Sequence, residues 1–170
     1  MVSREPEPGE ELKKCETFLR TFDGIGGDYP YLIQLQDVAN RVQNVVTIYL
    51  DDVDSHMDPD FLKNIKRNTL RYIHHFEEVI DRLLPSPTVD HDRDVYDILR
   101  EQHQELERRQ GMPQHNGENI APNDNEEGDL GVPAEFTRRY EVNLVPQIAE
   151  KAKRLREVRA QDVGKLVKVS

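Results

Sequence analysis

Two short runs of β-branched and aromatic residues place the tightest constraint on how this chain folds. In VVTIYL, over residues 45–50, and in RYEVNLV, over residues 139–145, apolar and polar positions alternate as they do in a half-buried strand. Two isolated strands do not form a stable sheet in water, because the ribbon needs another layer to cover its apolar face. We therefore predict that 45–50 pairs with 139–145 and that the pair rests on helices.

The remaining ordered segments carry apolar residues at helical spacing. The third has the clearest start, with Asp58 as a candidate N-cap and Pro59 at the first helical position, and the PSP at 85–87 ends it. The predicted helices cover about 10–23, 31–43, 58–84 and 90–110. Their predicted core positions include Leu12, Cys15, Phe18, Leu19, Phe22, Leu32, Leu35, Val38, Ala39, Val42, Leu62, Ile65, Leu70, Ile73, Phe76, Ile80 and Leu83, and Val95, Ile98, Leu99 and Leu106 form a narrower stripe.

Polar stretches separate these elements. Residues 1–10 are predicted to be disordered, and 111–132, rich in Asn, Gly, Pro and acids, is predicted to be a flexible loop. The short basic stretch 147–158 reads equally as a linker or a last helix. The fold class that follows is mainly α: a small helical bundle with a short two- to three-stranded β element.

Cysteine usage and hydropathy indicate in which cellular compartment the chain is expected. Cys15 is the only cysteine, so there is neither a disulfide framework nor a cysteine zinc site, and a reducing compartment is the default expectation. No run approaches the roughly 18 apolar residues of a membrane-spanning helix, and the N-terminus lacks the apolar stretch of a secretory signal. We therefore expect no membrane contact and a location in the cytoplasm or the nucleus.

The densest group of candidate metal ligands is YLDDVDSHMDPD. It holds five aspartates between Asp51 and Asp60, with His56 among them. Metal binding or acid catalysis needs several carboxylates held together in one pocket. These aspartates instead lie at a strand end and a helix start, where Asp is the usual turn and capping residue, and the glycine and glutamate of a calcium loop are missing. We favour capping and solvation, and no metal site is predicted.

Other catalytic patterns are equally weak. His75 and Glu78 have the i, i+3 spacing of a di-iron bundle, but the matching ligands on other helices are missing. Cys15 lies on an apolar helical face and is predicted to be a core residue. The sequence contains neither a G-x-S-x-G turn nor a phosphate-binding glycine loop. No catalytic residue is predicted.

Charge is distributed unevenly along the chain. The net charge is −10, but residues 147–170 hold seven basic and three acidic side chains, a balance of +4, so residues 1–146 carry −14. An acidic protein is a poor general nucleic-acid binder, and any phosphate contact is expected at the basic end. The candidate DNA-binding residues are Arg138, Arg139, Lys151, Lys153, Arg154, Arg159 and Lys165. The alternative is that Arg138 and Arg139 serve structure or a subunit contact.

A family resemblance extends over nearly the whole chain, from about Leu12 to Val169. It rests on four stretches in a fixed order, YLDDV, FLKNIKRNTLRYIHHFEEVIDRLLP, PAEFTRRYEVNLVP and REVRAQDVGKLVKV. The chain thereby resembles the N-terminal part of minichromosome maintenance (MCM) replicative helicase subunits, whose REVRA-like and VGKLV-like segments lead into an OB-fold. It departs from that pattern in the length of 111–132 and in an apparent insertion, PQIAEKAKR.

The resemblance implies a domain organisation. The helical A domain of the family would cover 11–146, including the flexible loop, followed by a basic linker over 147–158 and the truncated first strand of the OB-fold over 159–170. The chain would thus end just inside the next domain. The full-length parent would be an ATP-dependent DNA helicase that uses ATP and Mg²⁺, whereas this fragment would hold no cofactor and would not be an enzyme.

The resemblance also implies partners and location. The fragment would be a scaffold and regulatory domain in a nuclear hetero-hexamer that acts in initiation and elongation of DNA replication. It would contact other MCM subunits and replication loading and regulatory factors, and DNA would be bound mainly by parts of the parent outside this chain. The alternative is direct single-stranded DNA binding by the basic C-terminal end. A metal-dependent hydrolase using Asp51–Asp60 is a distant third.

Overall fold

The computed structural model describes residues 8–110 and 138–169, which divide into two compact units. The first unit ends at Val89 and resumes at Tyr140, and the second is Asp90–Arg139. The helices are α1 (Pro8–Thr21), α2 (Pro30–Ala39), α3 (Leu50–His56), α4 (Pro59–Arg67), α5 (Thr69–Leu83) and α6 (Val95–Gln110), and the strands are β1 (Val45–Tyr49) and β2 (Glu141–Val145). The mainly α class predicted from the sequence is confirmed.

The two strands form a parallel pair, which confirms the predicted pairing. Val46 lies opposite Val142, and Ile48 lies opposite Leu144. Val46 and Ile48 are fully buried, whereas Tyr49 is exposed. The alternation of the sequence identifies the buried face correctly, because successive side chains of a strand point to opposite faces.

The outer edge of β1 is closed by side chains from α2. The amide of Gln34 donates from Nε2 to the Thr47 carbonyl at 3.0 Å, and the Thr47 N–H donates to Gln34 Oε1 at 2.8 Å. The Tyr49 N–H donates to the Tyr31 hydroxyl at 3.2 Å. Gln34 therefore takes the place that a third strand would occupy beside Thr47, and the Thr47 backbone groups and the Tyr49 N–H are satisfied without one.

The core of the first unit is built from α1, α2, α3, α4 and α5 around the strand pair. α1 packs on α5, α5 also contacts β2, and α2 covers β1. The ring of Phe18 lies 4.9 Å from that of Tyr31 and 6.4 Å from that of Phe76, measured between centroids. The largest fully buried side chains are Tyr31, Tyr72, Phe18, Phe61, Phe76, Leu19, Leu35, Ile48, Leu50, Ile65, Ile80 and Val46.

A buried carboxylate ties α1 to α5. Glu11 is only 4 % exposed, and its carboxylate accepts a 2.7 Å hydrogen bond from the hydroxyl of Tyr72. Its second oxygen lies 2.7 Å from the guanidinium of Arg71 and 3.1 Å from Nε2 of His75. The burial of this charge is offset by three polar partners on one neighbouring helix, which fixes how α1 lies along α5.

Three predicted core positions are exposed, and the prediction was wrong for them. Val42 lies beyond the end of α2, and Leu32 lies on the outer face of that helix while the adjacent Tyr31 is buried. Leu70 is 62 % exposed because the helical register is reset just before it. Periodicity assumes one uninterrupted helix, so it fails where a helix ends or breaks.

The single helix predicted over 58–84 is two helices, which corrects the sequence prediction. Asp58 does cap α4, with its Oδ1 accepting from the Phe61 N–H at 2.9 Å. The chain leaves the helical conformation at Asn68, with φ −130° and ψ 51°. The side chain of Asn can hydrogen-bond to nearby backbone groups in non-helical conformations, so Asn is less favourable inside a helix. The N–H of Thr69 donates to the carbonyl of Gly164, at 3.2 Å, instead of continuing the helix.

In the second unit, α6 begins at Val95, later than predicted. Asp94 and Asp97 explain the boundary, since the N–H of each donates to the carboxylate of the other at 3.1 Å. This is a reciprocal cap at the helix start. Val95 and Ile98 of the predicted apolar stripe are exposed.

The ends of the chain differ from expectation in detail. α1 begins at Pro8, inside the segment predicted to be disordered, with Glu10 and Glu11 in its first turn. The rest of that segment and the predicted loop 111–132 lie outside the described residues. Over 147–169 the chain forms 3₁₀ turns at Leu155–Glu157 and Ala160–Asp162. None of the described helices is long and apolar enough to cross a membrane.

Candidate anion-binding groove

The basic C-terminal segment, residues 146–169, is docked on the helices of the first unit. The side chain of Gln147 donates to Asp54 at 2.9 Å, and the N–H of Ile148 donates to Asp51 at 3.0 Å. Lys66 of α4 donates from Nζ to Gln147 Oε1 at 2.6 Å. Two aspartates of the acidic stretch therefore anchor this segment, a use that the preference for turns and caps did not predict.

A second set of contacts fixes the end of the segment at the junction of α4 and α5. The carbonyl of Gly164 accepts from Thr69, and the N–H of Leu166 donates to the carbonyl of Lys66 at 3.4 Å. Gly164 has φ +76°, a left-handed conformation that favours glycine. The break at Asn68 exposes backbone groups that a continuous helix would use internally, and the C-terminal segment binds them.

Within the segment, two stretches run side by side. Lys153 donates from its backbone N–H to the carbonyl of Lys168 at 2.8 Å and forms an isolated parallel bridge with Val169. In the described part of 159–170 this bridge is the only strand-like pairing. A single strand needs a paired neighbour to be stable, and the described residues provide no further one here. The assignment of 159–170 to an OB-fold stays a prediction.

These contacts enclose a groove of about 320 Å³ between the end of α4 and the C-terminal segment. Its lining residues are Lys66, Arg67, Glu150, Lys151, Lys153, Asp162, Lys165, Leu166, Val167 and Lys168. Six of these side chains are basic and two are acidic. The groove therefore concentrates positive charge on a chain whose net charge is −10.

Three of the six cations are held by the protein itself. Lys153 pairs with Asp162 at 2.8 Å, Lys66 lies 3.4 Å from Glu150, and Lys168 donates to the carbonyl of Ile148 at 3.1 Å. The hydrogen bond from Lys153 lowers the pKa of the Asp162 carboxyl below its ordinary value, with the backbone N–H of Arg159 adding to it. Asp162 therefore stays ionised at neutral pH and keeps Lys153 in place.

The other three cations are exposed. Arg67, Lys151 and Lys165 form no hydrogen bond or ion pair with the part of the chain that the structure describes. They are the donors that an incoming anion would meet. An exposed charge of this kind contributes little to folding, so its contribution to stability does not explain its position.

The structure brings together only some of the candidate DNA-binding residues. Lys151, Lys153 and Lys165 line the groove, whereas Arg154 and Arg159 of the same segment do not. Lys66 and Arg67 were not predicted, because they lie far away in the sequence, at the end of α4. The one sequence feature that could have pointed to them is the basic last turn of α4. Such a turn usually indicates only a favourable interaction with the helix dipole.

Arg138 and Arg139 belong to the second unit, and Arg139 has a structural role there. Its guanidinium pairs with Asp94 and, at 2.7 Å, with Asp97, and it lies 5.3 Å from the centre of the Tyr96 ring. Burial lowers the pKa of Arg139, but the hydrogen bond to Asp94 and the neighbouring charges outweigh it, so the net direction is upward. Arg139 therefore has partners within the second unit, as the structural alternative predicted, and a DNA contact by Arg138 or Arg139 stays a prediction.

The other polar candidates have structural partners as well. Asp52 accepts from the Tyr31 hydroxyl at 2.7 Å, and Glu78 pairs with Arg82 rather than acting together with His75. Cys15 is fully buried, and burial raises the pKa of its thiol. Among the described residues, no group of three or more His, Cys, Asp or Glu side chains is placed to hold a metal ion.

Comparison with known proteins decides the family. Residues 13–127, more than half of the chain, match the family model described as the MCM N-terminal domain. The chain belongs to the MCM family. This confirms the family resemblance predicted from the sequence, and two of its four stretches, YLDDV and FLKNIKRNTLRYIHHFEEVIDRLLP, lie within the matched residues. The sequence stretches also resemble the seventh subunit of the eukaryotic ring.

Curated relatives of this MCM chain carry the corresponding name. It is 33 % identical over 166 residues to "DNA replication licensing factor mcm7-A" of Xenopus laevis, covering 94 % of this chain and 22 % of that protein. It is 36 % identical over 167 residues to "DNA replication licensing factor MCM7" of Oryza sativa subsp. indica, covering 94 % and 21 %. For the protein of that name from Arabidopsis thaliana the identity is 31 % over 155 residues, covering 90 % and 20 %. The chain spans about a fifth of the length of these relatives.

Proposed function

We propose that this chain is the N-terminal scaffold and regulatory domain of a subunit of the hexameric MCM helicase, acting in the initiation and elongation of DNA replication. The observation that carries the proposal is the match of residues 13–127 to the MCM N-terminal domain. The names of its relatives, which are DNA replication licensing factors, support it. In this proposal the parent works in the nucleus, and ATP and Mg²⁺ are bound by parts of the parent outside this chain.

A contact role fits the surface of the first unit. Its core is closed by its own helices, while Ile33, Val42 and Leu70 are more than half exposed. Apolar side chains on an acidic surface favour contacts with proteins over contacts with phosphates. The proposed partners are the other MCM subunits of the hetero-hexamer and the factors that load and regulate it.

The test is assembly of the full-length parent without this domain. We expect a parent in which 8–145 is replaced by a short Gly/Ser linker to form fewer hexamer-sized particles with the other subunits, as counted by mass photometry, while its own ATP hydrolysis is retained. The matched control keeps the domain and carries the same linker after residue 145. Equal assembly of deletion and control at every salt concentration would refute the scaffold role.

Single-stranded DNA binding by the basic end is the second candidate. The observation that favours it is the gathering of Lys151, Lys153 and Lys165 in one groove. If it holds, the logarithm of the affinity for an oligothymidylate falls with the logarithm of salt concentration, by about 0.7 per phosphate neutralised. A salt-independent affinity would contradict it.

A further inference from the structure

We propose that the basic groove is a docking site for an aspartate- and glutamate-rich peptide segment of a partner protein, taken in preference to nucleic acid. The groove lies between the end of α4 and the C-terminal segment, and six basic side chains line it. This goes beyond a role in ring assembly, because it assigns a ligand chemistry to one surface of the isolated chain.

The walls of the groove and two of its basic side chains are held in place by contacts within the protein. Its two walls are joined by backbone hydrogen bonds from Thr69 to Gly164 and from Leu166 to Lys66. Lys66 and Lys153 are oriented by partners of their own, as described above. An ion-binding surface whose side chains are already held loses less conformational entropy when the ligand binds.

The exposed cations supply the contacts. Arg67 comes from the end of α4, and Lys151 and Lys165 come from two stretches of the C-terminal segment. Each has donors and no acceptor, so each selects an anionic or carbonyl partner. Arg67 can bind a carboxylate through two N–H groups at once, while the lysines act as point charges that tolerate variable spacing.

Two features of the lining favour a peptide over a nucleic-acid strand. Sites for single-stranded nucleic acid combine cations with aromatic side chains on which bases stack, and none of the lining residues is aromatic. The groove also contains the carboxylates of Glu150 and Asp162. A nucleic acid presents a phosphate at every nucleotide and meets these charges, whereas a peptide can place an uncharged residue opposite each of them.

The apolar part of the lining fits the same ligand. Leu166 and Val167 are half-buried in the groove wall and offer contact to the aliphatic parts of a peptide. The chain as a whole carries a net charge of −10, so a nucleic acid with a phosphate at every nucleotide is repelled more than a short acidic segment that carries fewer charges.

Fluorescence anisotropy with two labelled probes tests the proposal on the 170-residue chain. The first probe is a peptide of alternating Glu and Gly, about twelve residues long and therefore at most roughly 40 Å when extended. The second is an oligothymidylate of about twelve nucleotides, within the site sizes of single-strand binding proteins. We expect the peptide to bind more tightly than the oligothymidylate at about 0.15 M salt.

Charge reversal locates the binding. The double variant Lys151→Glu, Lys165→Glu should weaken peptide binding about tenfold, since two exposed attractive charges become repulsive. The matched control is Lys13→Glu, Lys63→Glu, which changes the net charge equally at two exposed lysines outside the groove, and it should shift the affinity by less than about twofold. Melting temperatures of both variants establish that they are folded.

Three results would overturn the proposal. Tighter binding of the oligothymidylate, lost in the groove variant, would assign the groove to nucleic acid. Equal weakening in both variants would mean non-specific attraction. If the folded chain binds neither probe, the groove is not a docking site and its cations are simply solvated.

Discussion

Asp58 makes two separate interactions at the start of α4. Its Oδ1 accepts the N–H of Phe61, and its Oδ2 lies 2.8 Å from Nζ of Lys14 on α1. Replacing Asp58 by Ala removes the cap and the ion pair and should lower the free energy of unfolding by about 1 kcal/mol. Asp58→Asn keeps the cap and loses only an exposed ion pair, so its cost should be smaller, about 0–1 kcal/mol. Urea unfolding at neutral pH measures both.

The contribution of the Asp58 carboxylate to stability should also depend on pH. The hydrogen bond from Lys14, helped by the Phe61 N–H, lowers the pKa of Asp58 below its ordinary 3.8. A carboxyl whose pKa is lowered by folding stabilises the fold above its unfolded pKa, and that contribution is lost as pH falls through the folded pKa. The difference between the native chain and Asp58→Asn should therefore be constant at neutral pH and shrink below about pH 4. A difference that grows on acidification would contradict this account.

Residues differ in how far the sequence predicts their roles. The cap at Asp58 was predictable, because Asp followed by Pro and an acid is a local signal for a helix start. The burial of Glu11 was not, because its partners Arg71, Tyr72 and His75 lie on another helix. A polar residue is predictable when its partners are near in sequence, and a long-range partner leaves no mark on the local pattern.

At the scale of elements, the α2 side chain of Gln34 replaces a strand at the edge of β1. Replacing Gln34 by Ala leaves the N–H and carbonyl of Thr47 without this partner in a half-buried setting. We expect a loss of about 1–3 kcal/mol in the free energy of unfolding, because a polar group left unsatisfied costs its desolvation. Faster amide exchange at Thr47 than at Val46, measured by NMR, would locate the effect.

A matched change separates this hydrogen bonding from packing. Gln36, on the same helix, bonds at 3.2 Å to the carbonyl of Ser86 instead of to the strand. Gln36→Ala should therefore leave the exchange rate of Thr47 unchanged. If Gln34→Ala and Gln36→Ala affect Thr47 alike, the side-chain amide does not close the edge.

Elements were predictable in kind but less so in extent. Periodicity identified α1, α2 and both strands, because each has one face turned to the core. It missed the break at Asn68, since the apolar spacing continues across it and the contact that replaces the helical bond comes from Gly164. The groove was missed for the same reason. Its cations are divided between α4 and the C-terminal segment, and only the fold brings them together.

At the scale of the whole molecule, the basic end offsets the charge of the rest. Residues 147–170 carry +4 against −14 for residues 1–146. The basic C-terminal segment, which makes up nearly all of this range, bonds to α3 through Asp51 and Asp54 and to the junction of α4 and α5. It therefore stabilises the first unit in two ways, through hydrogen bonds that salt scarcely affects and through charge attraction that salt screens.

A chain ending at residue 146 measures both contributions. At about 0.05 M salt its free energy of unfolding should fall by about 5 kcal/mol, since five hydrogen bonds to the helices are lost at about 1 kcal/mol each and self-repulsion increases. At about 1 M salt, where charges more than about 3 Å apart are screened, only the loss of hydrogen bonds should persist. The difference between full and shortened chains should therefore narrow with salt in urea unfolding. If the two chains differ equally in free energy of unfolding at both salt concentrations, the segment stabilises the fold through its hydrogen bonds alone. If they do not differ at either, its contacts with α3 and α4 do not stabilise the fold.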